Sequence, residues 1–150
     1  MKNRIASECT PRGGYILRVP GRGAPKSPPT SHTTMSDTFV RSADTPWQST
    51  NDVGLRRQIL GHGPDLMMVR VEFEPGAVGA LHHHPHRQVA YVVSGRFEVT
   101  VGDERAVLGP GDCFYIAADR VHGVVAPEGG TLIDAFTPAR EDFLTAAPQV

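Results

Sequence analysis

The chain has 150 residues, 39% of them apolar, with fifteen Lys and Arg against sixteen Asp and Glu and a formal net charge of -1. That length suits one domain with a core of ordinary size, and the balanced charge denies it the electropositive field that a nucleic-acid partner needs. No apolar run reaches the roughly 20 residues of a spanning helix, so the sequence predicts a soluble, cytoplasmic protein with neither nucleic acid nor membrane among its partners.

From residue 1 to about residue 38 the chain is rich in Pro, Gly and Ser, as in PGRGAPKSPPTSHTT, and has no apolar period. Such a stretch cannot offset its own ordering entropy, so 1–38 is expected to be a disordered extension. Met35 is an alternative start, because it opens MSDTFVRS just ahead of the patterned part of the chain. Residues 39–150 then read as one domain of short strands separated by Gly and Pro turns, the all-β pattern of a sandwich or barrel. Strands are expected at 55–60, 66–74, 78–82, 88–93, 96–102, 104–108, 113–116, 122–125 and 131–136, and a helical turn over 140–144. Trp47, in the loop-like PWQST, is expected to anchor the N-terminal arm. Ser94-Gly95 reads as the tight turn of a hairpin, and Phe97, Val99 and Val101 alternate with Arg96, Glu98 and Thr100 to define one inward face. Gly79, Gly109 and Gly111 are expected at turn or bulge positions with positive φ. Phe73, Phe97, Phe114 and Tyr115 are expected to line the core. Of the two cysteines, Cys9 lies in the polar extension and Cys113 in the strand-like CFYI, where a buried thiol filling the core is expected.

Four of the seven histidines fall within 82–86, in GALHHHPHRQVAYVVSG. Alternate residues of a strand face one way, about 6 to 7 Å apart, so His82 and His84 form a natural pair of ligands and His83 points away. Pro85 bends the chain, which lets Gln88 at the start of the next strand return toward the two imidazoles. His122, in AADRVHGVV, is the candidate third imidazole, and His86 is expected beside the site rather than as a further ligand. Three imidazoles and an amide oxygen suit one divalent ion of the first transition row, Zn, Ni, Fe or Mn, better than Ca or Mg.

Gly76, His82, His84, Gln88 and Gly95 stand in the spacing G-x5-H-x-H-x3-Q-x6-G, which resembles the first cupin motif with Gln in place of its usual Glu; GPGD at 109–112 and His122-Gly123-Val124 resemble the second. The resemblance implies a jelly-roll β-barrel of two antiparallel sheets with a divalent metal at its mouth, and pairing into a homodimer through an outer sheet, although no apolar patch for that is legible in the sequence. Within the cupins, HxHPHxQxxYVVSGRFE, LGPGD and LIDAFTPAREDFL are similar to the KdgF-type proteins of pectin and alginate breakdown, over most of residues 50–145. That narrower resemblance implies an enzyme opening a 4,5-unsaturated monouronate to the linear 5-keto-4-deoxyuronate, with His82, His84, Gln88 and His122 on the metal and Asp134, Phe136 and Arg140 in the substrate site. Arg87 and Ala117-Ala118 depart from the family pattern, which tends to have Glu and prolines there.

The residue types fit these roles independently. A guanidinium offers a uronate carboxylate a planar two-donor fork, which suits Arg140. Asp134, in the apolar LIDAF, is costly to bury and would suit proton transfer, unless it pairs with Arg140 as a salt bridge near the rim. Two other readings stay open at this level: an Fe(II) dioxygenase, and a sugar-binding cupin without catalysis.

Overall fold

A computed structural model describes residues 35–145. The expected extension, 1–38, therefore lies mostly outside the described residues, as do Cys9 and the residues after 145. Where the description begins, Ser36 is tied to His62 through its backbone N–H (3.0 Å) and its hydroxyl, which also accepts from the His62 N–H at 3.0 Å.

The strands are β1 (Gln48–Ser49), β2 (Leu55–His62), β3 (Met67–Phe73), β4 (Ala77–His82), β5 (Arg87–Gly95), β6 (Phe97–Val101), β7 (Glu104–Leu108), β8 (Cys113–Ile116), β9 (His122–Ala126) and β10 (Gly130–Thr137), followed by one turn of helix, α1 (Glu141–Thr145). They form two antiparallel sheets, ordered β1-β2-β3-β10-β5-β8 and β4-β9-β6-β7. Phe73, Val92 and Leu132 of the first sheet cluster with Ala77, Phe97, Val99 and Ala126 of the second. Phe97, wholly buried, meets Phe73 edge-on with ring centroids 5.1 Å apart. A second cluster joins Met67, Val69, Phe136 and Ala139 to Phe143 and Leu144 of α1.

Alternation along the strands divides the interior into an apolar end and a polar end. On β5 the buried residues are Val92, Ala90 and Gln88; on β10 they are Thr131, beside the bulge, then Leu132, Asp134 and Phe136. Asp134 lies across from Ala90, and Phe136 across from Gln88. Two residues along either strand therefore carry the lining from packed hydrocarbon to groups that can bind or transfer protons.

Several expectations are corrected. Ser94-Gly95 is no hairpin turn: β5 and β6 belong to different sheets, and Gly95, at φ +86°, carries the chain between them. A Cβ there would overlap the Gly129 carbonyl oxygen and come within 2.6 Å of the Gly130 Cα, so only glycine fits the corner. Of Gly79, Gly109 and Gly111, only Gly111 has positive φ. Cys113 and Tyr115 are exposed rather than core, because β8 turns them to the outer face of its sheet. There Val89, Tyr91, Val93 and Tyr115 are each 44 to 58% exposed and make a broad apolar face that the sequence does not announce. Trp47 is held by cations, with the Arg56 and Arg70 guanidiniums 4.3 and 5.5 Å from its ring.

Candidate metal centre and cavity

His82 closes β4 and His122 opens β9, and the two stand directly opposite each other in the ladder between those strands. His84 lies past the end of β4, in the connection that bends at Pro85, so it reaches the pair from a loop rather than by alternation along one strand. Ring centroids are 4.3 Å apart for His82 and His122, 4.9 Å for His84 and His122, and 5.6 Å for His82 and His84. The candidate ligand atoms of the three rings all lie within 4.8 Å of one another.

Each imidazole is oriented through Nδ1 by a backbone carbonyl: His82 by Ala80 at 2.8 Å, His84 by His86 at 3.1 Å, His122 by Arg120 at 2.8 Å. A carbonyl only accepts, so Nδ1 holds the proton in His82 and His122, and their Nε2 keeps its lone pair. The His122 Nε2 is buried without a hydrogen-bond partner, and His84 faces an oxygen acceptor at each ring nitrogen, the His86 carbonyl and the Gln88 Oε1 at 3.1 Å, of which a neutral ring can satisfy only one. A divalent cation answers this donor set, since it meets the lone pairs that no N–H satisfies. Burial also prepares the rings. It pushes His122 down to about 4, against the Arg120 hydrogen bond, and holds His84 below the ordinary imidazole range with help from the Arg140 charge. Both are therefore in the neutral, ligating form at neutral pH.

Protein purified without chelators should carry about one divalent transition-metal ion per chain by elemental analysis, and His122→Ala less than about a tenth of one, even after incubation with Zn or Ni. Equal metal in the two proteins would remove His122 from the ligand set.

His82, Gln88, His122, Asp134, Phe136 and Arg140 all line one cavity of about 510 Å³. Asp134 is 7% exposed and its Oδ1 has no hydrogen-bond partner. Burial raises its carboxyl to about 7, against a hydrogen bond from Gln88 and the charge of Arg140. Gln88 thus turns its oxygen to the His84 imidazole and its N–H to Asp134, an arrangement a glutamate could not make without setting two carboxylates together. Phe136, 3% exposed, stands edge-on to His84 at 5.7 Å and to Phe143 at 5.8 Å. The alternative salt bridge between Asp134 and Arg140 does not form. Arg140 instead grips Asp142, two residues on, by Nε at 2.9 Å and Nη2 at 2.7 Å. His83 is exposed, 3.9 Å from Asp119, and His86 is half-buried beside the site, its ring 5.5 Å from that of His84.

Among the wall residues that sequence reasoning missed are Gln48, Arg57, Asp142 and Phe143. Phe143 and Asp142 belong to the AREDFL segment already singled out, but Arg57 follows another arginine in LRRQIL, and only the strand's alternation decides which of them turns inward.

The cupin domain family (Cupin_2) matches residues 69–133. The chain is 46% identical over 103 residues to the pectin degradation protein KdgF of Dickeya dadantii (strain 3937), covering 67% of this chain and 93% of that protein. It is 30% identical over 112 residues to the oxalate decarboxylase OxdC of Bacillus subtilis (strain 168), of whose length it spans only 29%. Among solved structures, an RmlC-like cupin from Shewanella frigidimarina NCIMB 400 superimposes with a TM-score of 0.70 at 45% identity, covering 73% of this chain and 97% of that one. The structure of KdgF from Halomonas sp. does so with a TM-score of 0.67 at 42% identity, covering 71% and 99%.

Proposed function

This chain belongs to the cupin family, and from that premise we propose that it is a metal-dependent enzyme of pectin and alginate breakdown, opening a 4,5-unsaturated monouronate to the linear 5-keto-4-deoxyuronate. The likeness to a pectin degradation protein across nearly the whole of that relative supports the substrate class. One observation of the molecule carries the reaction type: Asp134, buried, with an unpartnered oxygen, in the wall of the cavity that His82 and His122 also line.

The reaction is an isomerisation. The C1 hydroxyl of the hemiacetal loses its proton and becomes an aldehyde; the C1–O5 bond breaks, its electrons pass through O5 to the C4–C5 double bond, and C4 receives a proton as C5 becomes a ketone. No atom is gained or lost beyond this exchange of protons, so a single carboxyl that takes one and returns one suffices. A carboxyl titrating near 7 does both at neutral pH, whereas an ordinary one near 4 would be a poor acid there. Gln88 holds the Asp134 side chain, and Phe136 closes the wall between Asp134 and His84. His82, His84, His122 and Gln88 would hold the ion. When bound, it supplies a Lewis acid that polarises a substrate oxygen.

Metal-loaded protein mixed with an unsaturated monouronate under anaerobic conditions should speed the loss of the ring double bond's ultraviolet absorbance over a protein-free control. Absence of any acceleration with galacturonate-, guluronate- and mannuronate-derived substrates would overturn the proposal. A requirement for O2 would point instead to an oxygenase.

A further inference from the structure

Two guanidinium groups lie over the ring of Phe143 in α1, the Arg57 Cζ 3.7 Å from its centroid and the Arg140 Cζ 4.1 Å. Both arginines line the cavity with Gln48 and Asp142. Their partners differ. Arg140 spends the Nε and Nη2 edge of its fork on Asp142, so its charge is already matched. Arg57 gives its Nε to a neutral acceptor, the Gln48 Oε1 at 3.0 Å, and forms no ion pair among the described residues. Two guanidiniums thus share one carboxylate, Asp142, and the unmatched charge belongs to Arg57.

The surroundings prepare Arg57 for an anion. It is half-buried, and desolvation lowers its proton affinity more than the Asp142 carboxylate restores it, with Arg140 adding repulsion. A partly desolvated cation gains more from a carboxylate than a solvated one does. Its orientation is fixed on two sides: Gln48, its register partner on β1, binds Nε, and Phe143 supports the flat face. What remains is the terminal edge, Nη1 and Nη2, which presents two parallel donors. The two-residue strand β1 thus has a task beyond capping a sheet edge, since it aims Arg57.

We propose that Arg57, rather than Arg140, receives the substrate's carboxylate, while Arg140 positions Phe143 and Asp142. The identity of the substrate rests on the ring-opening reading above; the preference for a carboxylate at Arg57 does not. The test therefore pairs an acid with its methyl ester, in turnover and in equilibrium binding. Wild type should take the unsaturated monouronate at lower KM than its methyl ester. Arg57→Gln should raise KM for the acid about 10- to 100-fold with kcat changed less, leave KM for the ester unmoved, and so erase the preference. Arg57→Lys keeps the charge and much of the stem and should recover only part of the preference, which also covers the case of a poorly folded glutamine variant. Arg140→Lys should keep the preference. In binding, galacturonate and its methyl ester replace the reactive substrate, so the outcome is read even if no uronate is turned over. An acid preference that survives both Arg57 substitutions, that Arg140→Lys abolishes, or that wild type never shows would overturn the assignment.

Discussion

Asp134→Asn should lower turnover of an unsaturated monouronate by about 10²- to 10⁴-fold while leaving metal content unchanged. Asparagine keeps the size of the side chain and still accepts the Gln88 N–H, but it can neither take nor return a proton, and positioned acid–base catalysis contributes about that much. A second reading of the same variant separates chemistry from architecture. In the folded, metal-free protein the Asp134 carboxyl is raised from 3.8 to about 7, so the folded state favours its protonated form. Stability from that preference is complete below about 4 and is lost as the pH rises toward 7, where the charged carboxylate is buried at full cost. Asp134→Asn should therefore raise the melting temperature of chelator-treated protein above pH 7 and change it much less near pH 4. Normal turnover in a more stable variant would make Asp134 a tolerated strain and end its catalytic assignment.

Gly95→Ala should lower the melting temperature by on the order of 10–20 °C. A non-glycine residue at φ +86° costs about 1–3 kcal/mol, and forcing a methyl group against the Gly129 carbonyl and Gly130 adds a similar amount. The sum is a large part of a typical domain's 5–15 kcal/mol. Gly109→Ala is the control, because its φ is not positive and a Cβ there meets nothing within 4 Å. A melting temperature for Gly95→Ala within a few degrees of wild type would show that the corner between the sheets can shift.

The strands were legible because turn formers bracket them: Glu104–Leu108 and Cys113–Ile116 begin and end where the Gly102-Asp103, GPGD and AADR segments place them. Which face of a strand turns inward was harder to read. On β5 the buried set, Gln88, Ala90 and Val92, is less apolar than the exposed set, Val89, Tyr91 and Val93, so hydrophobic alternation carries no usable sign. Local signals also could not tell a hairpin from a change of sheet at Gly95, since both need a glycine at a bend and only the distant partner, Gly130, decides between them. The histidines could be grouped by spacing, but that His82 and His122 face each other follows from a ladder joining segments 40 residues apart. Arg57 was not readable at all. Its role depends on Phe143 and Gln48, brought to it from opposite ends of the domain.

The candidate ligands are divided between the two halves of the sandwich. His82 and His122 stand on the sheet of β4 and β9, Gln88 on the sheet of β5 and β10, and no ladder joins the two sheets among the described residues. An ion held by all of them is a cross-link as well as a cofactor, absent from the unfolded chain and so linked to folding by mass action. Free metal at a hundred times its dissociation constant adds about 2.7 kcal/mol to the folded state. Resistance to heat is then a property of the chain together with the metal activity around it, and a cell short of that metal would hold less of the folded protein as well as less of its activity.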